Sequence, residues 1–412
     1  MNSLDFLPAF PFHFSGIVLF GALLLAGFCA GEGLYRLLRL PKVTGYVLLG
    51  VLVGPGVLNW FDQYFITQSR VFVDIALGML LFEAGRYLDL TWYRRNPWVV
   101  TAGVAAGVLA FVFVLGMLVL LGIEPLVAAL VAGIAMSTSP AVVLMVVRDL
   151  RAEGQVVERA MTVVALNSIM AFLAVTVLWS GLHISHRVGL ATAFAHPLYL
   201  LAGSLLIGLA GGYLLLGLIR LVGPRQGRQF VVIVAVILLA VGIAQVLKLS
   251  VLISLLTLGA VTRNLDQLNL REVDLLGTGR LFIIVLFVVV GASLKLDAMV
   301  AGGWVALALI LARFCGKAIA LTALASTSGI SWRKALWLSV ALLPMSGSAI
   351  VLAHEVAAMY PELGAKLTQI VYATVAILEI VGPIAVQLAL RMSNEAMPAE
   401  SGSGGAHGKG AA

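Results

Sequence analysis

Whatever chemistry this chain performs rests on a handful of polar residues in an almost wholly aliphatic setting. Glu83 lies in the run Leu80-Leu81-Phe82-Glu83-Ala84-Gly85. Arg313 and Lys317 are four residues apart, which puts both on one face of a helix. Glu379 and the pair Asn167-Ser168 each stand mid-way along an apolar stretch. Ionisable residues at such depth are costly and mark proton or ion pathways. Buried acids and amines are the side chains that trade a proton near neutral pH. On this reading Glu83 and Glu379 are proton or cation sites, with Lys317 or Arg313 as a competing internal cation. The bland alternative makes the same charges structural ion pairs that fix helix packing, and for Arg313 and Glu379 that structural or charge-compensating role is favoured.

Two short breaks frame these residues. Ser137-Thr138-Ser139-Pro140 and Pro344-Met345-Ser346-Gly347-Ser348 each interrupt an apolar stretch near its centre. A broken helix at membrane depth frees backbone N–H and C=O groups that lipid cannot satisfy, so it survives only inside protein or along a polar cavity. A pair of such breaks in corresponding positions of two halves points to the substrate site of a secondary transporter. Thr138, Ser139, Pro140, Pro344, Ser346 and Gly347 are therefore candidates beside the ionisable residues.

The elements that must position them are helices in a bilayer. Of 412 residues 61% are hydrophobic and only 11% are charged, which excludes a water-soluble domain. Thirteen apolar segments are predicted, at 14–38, 42–59, 69–88, 97–121, 125–147, 157–181, 197–221, 229–246, 249–265, 279–296, 302–327, 334–357 and 365–391. The first lacks the basic start and cleavage pattern of a signal peptide and reads as a retained helix. With the N-terminus outside, the inward connections hold seventeen Lys and Arg and the outward ones five, so the C-terminus is expected in the cytoplasm. The net charge of +7 thus reports topology rather than nucleic-acid binding. Residues 393–412, rich in Gly, Ala and Ser, read as a disordered tail after a single transmembrane domain over 1–392.

Landmarks recur between the halves. Leu38-Arg39-Leu40 with Gly45 and Gly50 matches Leu247-Lys248-Leu249 with Ser254 and Gly259, at an offset of 209. Gly85-x-x-Leu88-x-Leu90 returns as Gly291-x-x-Leu294-x-Leu296 at 206, and Pro140 as Pro344 at 204. This predicts repeat one over 14–181, a linking helix at 197–221 and repeat two over 229–391. A shift of seven spans is odd, so the second copy enters the membrane inverted. The fifth and twelfth segments become symmetry mates whose breaks meet near the midplane.

The stretch from Leu40 to Pro55, LPKVTGYVLLGVLVGP, resembles the start of the monovalent cation:proton antiporter superfamily, which includes bacterial sodium/proton and potassium-efflux antiporters and sodium/hydrogen exchangers. The resemblance continues through Phe82-Glu83-Ala84-Gly85, Pro140, the 287–296 segment and Lys317, and runs to about residue 391. It implies an all-α polytopic membrane protein with two inverted six-helix repeats, crossed broken helices and an elevator mechanism. It further implies a homodimer in the bacterial inner (plasma) membrane, exchanging a monovalent cation, Na+ or K+, for protons without a cofactor. Lys317 matches the basic residue that pairs in many members with an acid on the sixth segment. Glu83 resembles the acid of a Phe-Glu-x-Gly motif that helps coordinate the cation. The chain departs from the pattern at two places. The acid on the sixth segment is replaced, leaving Asn167-Ser168, and the common Thr-Asp-Pro break is Thr138-Ser139-Pro140.

Serine and asparagine can hold a cation but cannot trade it for a proton, so coupling falls to Glu83 or another acid. The alternative keeps the fold and moves an organic anion or a neutral solute through a site made positive by Lys317 and Arg313. Nothing in the sequence reads as an enzyme: there is no nucleotide-binding loop, no metal-ligand cluster and no nucleophile with a nearby base.

Overall fold

The computed structural model describes residues 16–397 except 62, 186–189, 224–225, 266–272, 295, 346 and 360. Every regular element among them is a helix. In chain order these are α1 (Gly16–Leu38), α2 (Lys42–Val53), α3 (Gln63–Gln68), α4 (Arg70–Arg86), α5 (Leu90–Arg95) and α6 (Pro97–Leu120). There follow α7 (Pro125–Ala135), α8 (Pro140–Asp149), α9 (Gln155–Ser185), α10 (Leu190–Val222), α11 (Gln226–Val246) and α12 (Val251–Leu265). The last six are α13 (Leu275–Thr278), α14 (Arg280–Ala292), α15 (Leu296–Ala323), α16 (Trp332–Ala341), α17 (Ser348–Met359) and α18 (Pro361–Met392). Among the described residues, eight helices are long and apolar enough to cross a membrane, and α2, α12 and α14 are shorter apolar helices.

The two expected breaks are real interruptions. α7 stops at Ala135, and α8 restarts with Pro140 in its first turn, where the missing N–H costs nothing. Ser139 caps that restart, its side chain accepting from the Val142 N–H at 3.3 Å. α16 ends at Ala341 and α17 begins at Ser348. Ser346 lies outside the described residues.

Small residues set the closest approaches. α2 crosses α14 where a Cβ on Gly50 would strike the Val288 carbonyl oxygen and one on Gly291 would strike that of Val47. α12 crosses α4 in the same way, Gly259 against Phe82 and Gly85 against Leu256. Gly50 and Gly259 are counterparts at the offset of 209, and Gly85 and Gly291 at 206. Arg39 and Lys248, also 209 apart, both take positive φ, 54° in each case. Because backbone faces backbone at these crossings, a methyl group cannot be absorbed by a side-chain shift. Gly259→Ala and Gly50→Ala should each cost roughly 1–3 kcal/mol of stability, read as a lowered unfolding midpoint in detergent; Gly116→Ala, whose Cβ would meet open space, should not.

Connections sort onto two ends of the bundle. At one end Lys42 Nζ pairs with Glu32 at 2.7 Å, and the Lys42 N–H donates to Asp149 Oδ2 at 3.3 Å. Arg263 pairs with Asp89 at 2.9 Å, and Arg159 donates to the Ser328 carbonyl at 2.7 Å. At the other end Gln245 donates to Asp74 at 3.2 Å and Tyr199 to the Leu247 carbonyl at 2.8 Å.

Residues 393–397, expected to open the disordered tail, are docked on the bundle. Glu395 is buried and accepts from the free N–H groups of Val156 and Val157 at the start of α9, at 2.8 and 3.1 Å. It also pairs with Lys334 at 2.9 Å, and the Met397 N–H donates to the Leu150 carbonyl. An acid at a helix N-terminus satisfies orphan donors and opposes the helix dipole, which is why the chain stays docked past its last apolar turn. Residues 398–412 lie outside the described residues.

Two hydrophobic clusters divide the half of the bundle that carries the breaks. One takes in α8, the first part of α9, Ala320 and Leu321 of α15, Leu338 of α16 and its C-cap Leu342. The other takes in α7, Val175 of α9, Leu309 and Ala312 of α15, and Ala349, Ala353 and Val356 of α17. On each of α9, α15 and the two broken helices, the polar candidates fall at the changeover.

Candidate functional site at the crossed breaks

The ends of α7 and α16 meet. The Ser139 N–H donates to the Pro344 carbonyl at 3.0 Å, tying one break to the other. Two helix C-termini bring orphan carbonyls and partial negative charge to one buried point. Arg313, fully buried on α15, answers them. Its guanidinium donates to the carbonyls of Ala135 at 2.7 Å and Pro344 at 3.2 Å, to those of Ser137 and Leu343, and to Thr138 Oγ1 at 3.3 Å. A planar fork with five N–H donors suits that task.

Lys317, one turn on, is 1% exposed. Its Nζ donates to Thr138 Oγ1 at 2.6 Å and approaches the Leu342 carbonyl at 3.5 Å. The Thr138 hydroxyl accepts from both cations and donates to the Leu342 carbonyl at 3.5 Å. Ser168 Oγ lies 2.8 Å from the Val164 carbonyl and 3.1 Å from that of Thr138, with one proton to share between them. Thr138, Ser139, Ser168, Arg313, Lys317, Pro140 and Pro344 are thus brought together.

Asn167 turns away from its neighbour. Both its amide atoms are buried without a hydrogen-bond partner, and Oδ1 would stand 3.0 Å from a Cβ on Gly107 of α6. Gly107 went unmarked in the sequence, although Gly103-x-x-x-Gly107 is the spacing that lets membrane helices approach. Gly382 of α18 was missed likewise: its Cα sits against Pro344, where a Cβ would be 3.1 Å from that ring.

Glu83 stands elsewhere. Its carboxylate is held by Arg86 and Arg148, each at 2.9 Å, and Arg148 continues to Asp274 at 2.8 Å. Among the described residues no hydrogen bond or ion pair joins Glu83 to the crossed breaks. Glu379, expected to be structural or charge-compensating, is buried with no ion pair among the described residues, and its Oε2 has no hydrogen-bond partner. No group of three His, Cys, Asp or Glu among the described residues is placed to hold a metal ion.

A helical membrane chain with two broken helices joined end to end, and cations set into the join, has the architecture of an ion-transport protein. The chain matches the model of the sodium/hydrogen exchanger transmembrane family over residues 20–391 and belongs to that family. Its fold is similar to two structures of the sodium proton antiporter MjNhaP1 from Methanocaldococcus jannaschii. The structure at pH 8 is 18% identical, with a TM-score of 0.63 over 92% of this chain and 95% of that one. The one from an electron-microscopy map is 17% identical, with a TM-score of 0.66 over 93% and 99%. No curated protein matches the chain in sequence.

Proposed function

We propose that the protein exchanges a monovalent cation, Na+ or K+, for protons across the bacterial inner membrane, at the crossed breaks of α7–α8 and α16–α17. The observation that carries this reading is the join itself. Thr138, Ser168 and backbone oxygens left over by the helix ends converge with Lys317 in a buried polar layer between two apolar clusters. In this reading the thirteen segments all span, with the N-terminus outside. The basic residues of the inward connections support that orientation, as does the gathering of the connections after segments one, three, five, nine and eleven at one end. The matched glycine crossings of α2 on α14 and α12 on α4 support the inverted repeat. An elevator movement of the break-bearing helices, in a homodimer, completes the proposal.

The test uses purified protein in liposomes with an acid lumen, with Na+, Li+ or K+ added outside and lumenal pH followed. Cation-dependent alkalinisation is expected. Glu83→Gln should retain it, because that carboxylate is occupied by Arg86 and by Arg148 at the end of α8 away from the break; its loss should show instead as a lower unfolding midpoint. Abolished exchange in a folded Glu83→Gln protein would return Glu83 to the site.

One observation favours a second reading. Arg313 and Lys317 stand side by side with no carboxylate among the described residues bonded to either, which suits an organic anion. Absence of any cation response from folded, inserted protein, with uptake of a labelled carboxylate, would establish it.

A further inference from the structure

The antiport reading leaves the exchangeable carboxylate unassigned, since Asn167 and Ser168 stand where an acid would be expected and Glu83 is tied to Arg86 and Arg148. We propose that Glu379 is that carboxylate, forming a cation and proton subsite on the α17 side of the join. The proposal rests on the antiport reading of the same site.

Depth is the first argument. The turn of α18 around Glu379 is where the packing changes over, with Val375 and Leu378 in the α7–α17 cluster and Ala376 and Val386 in the α8–α16 cluster. That is the level at which Lys317 and Ser168 occur on their own helices. Among the described residues, Glu379 is the one acid in this layer.

Position is the second. α17 and α18 pack as an antiparallel hairpin, with Gly364 against Ala357, and Gly382 further along α18 meets Pro344 in the break before α17. Residue 379 is one turn from Gly382 on the same face, so it stands opposite the start of α17. There Gly347 is exposed, with no atom within 4 Å of where a Cβ would lie. The start of α17, on the side of the join that Glu379 faces, is thus open at Gly347.

The third argument is that, among the described residues, no counter-charge is bonded to Glu379. Glu379 is 3% exposed and Oε2 is unpartnered. Arg333 and Lys334 lie at the far start of α16, Arg148 and Asp149 at the end of α8, and Lys42 at the start of α2. On α17, His354 is exposed. On α15, Arg313 and Lys317 are engaged by carbonyls and Thr138. A lone carboxylate at membrane depth must carry a proton or a cation to be neutral. That is the exchange required: the cation displaces the proton, which leaves to water on one side, and a proton displaces the cation on the other.

Glu379→Gln and Glu379→Asp are compared with wild type in the liposome assay. The glutamine variant, which removes a buried charge without changing volume, should fall to the rate of protein-free liposomes while keeping the wild-type unfolding midpoint. The aspartate variant should keep exchange with an altered cation KM. Independently, adding Na+ or K+ to weakly buffered, detergent-solubilised protein should release protons from wild type and none from Glu379→Gln. If the glutamine variant exchanges like wild type, or does not fold while the aspartate variant exchanges with unaltered KM and pH profile, the assignment is overturned. A wild type inert toward every cation would instead sink the antiport reading itself.

Discussion

Arg313→Met should be the most damaging single substitution in this protein. Five acceptor atoms converge on the guanidinium: the carbonyls of Ala135, Ser137, Leu343 and Pro344, and the Thr138 hydroxyl. Two helix C-termini end there in the buried interior, with no following turn to take their carbonyls. Methionine fills the volume and satisfies none of them. Removing one side of a buried charged network costs roughly 3–5 kcal/mol, which is a large share of the stability of an ordinary domain. The variant should therefore lose its monodisperse peak on size-exclusion chromatography or unfold far below wild type. Arg313→Lys should recover part of the loss, because an ammonium has three donors in place of five and no planar fork. A methionine variant as stable as wild type would mean that the ends of α7 and α16 hold together without a cation.

The sequence made the two breaks legible for a physical reason. Ser-Thr-Ser-Pro inside an apolar stretch cannot continue a helix, since proline forfeits an N–H and disfavours helical backbone before it. Gly50 and Gly259 were legible only as landmarks of the repeat, and the structure shows that both are points of close helix approach. Arg313 and Lys317 were legible as a pair by their spacing, and their acceptors were foreshadowed by the helix ends. What escaped was partnership across the chain. Glu83 shows its neighbour Arg86 three residues on, but Arg148 arrives from another helix after 65 residues. Glu395 looks like tail until the first turn of α9, 239 residues away in sequence, is brought to it. Glu379 reads as one more buried acid; only packing shows that no cation among the described residues is bonded to it. Burial depth follows from hydropathy, whereas the identity of a partner does not.

Thr138→Val should separate the stability of the join from its chemistry. Valine keeps the shape and removes the hydroxyl that takes the Lys317 ammonium at 2.6 Å. The Leu342 carbonyl at 3.5 Å is then the remaining contact for a charge with 1% of its surface in water. A charge-assisted hydrogen bond contributes about 1.5–3 kcal/mol, so the unfolding midpoint should drop clearly, and Thr138→Ser should restore most of it. The decisive comparison is the double substitution Thr138→Val with Lys317→Met. Removing both partners abolishes the orphaned ammonium, and replacing a polar pair with apolar groups of similar shape is close to neutral. The double variant should thus be more stable than Thr138→Val alone, a coupling that a double-mutant cycle measures directly. Exchange in liposomes tells whether the pair also serves transport. A double variant that is stable but inert would place Lys317 in the transport cycle, while one that is stable and active would leave it the task of neutralising the carbonyls at the crossing.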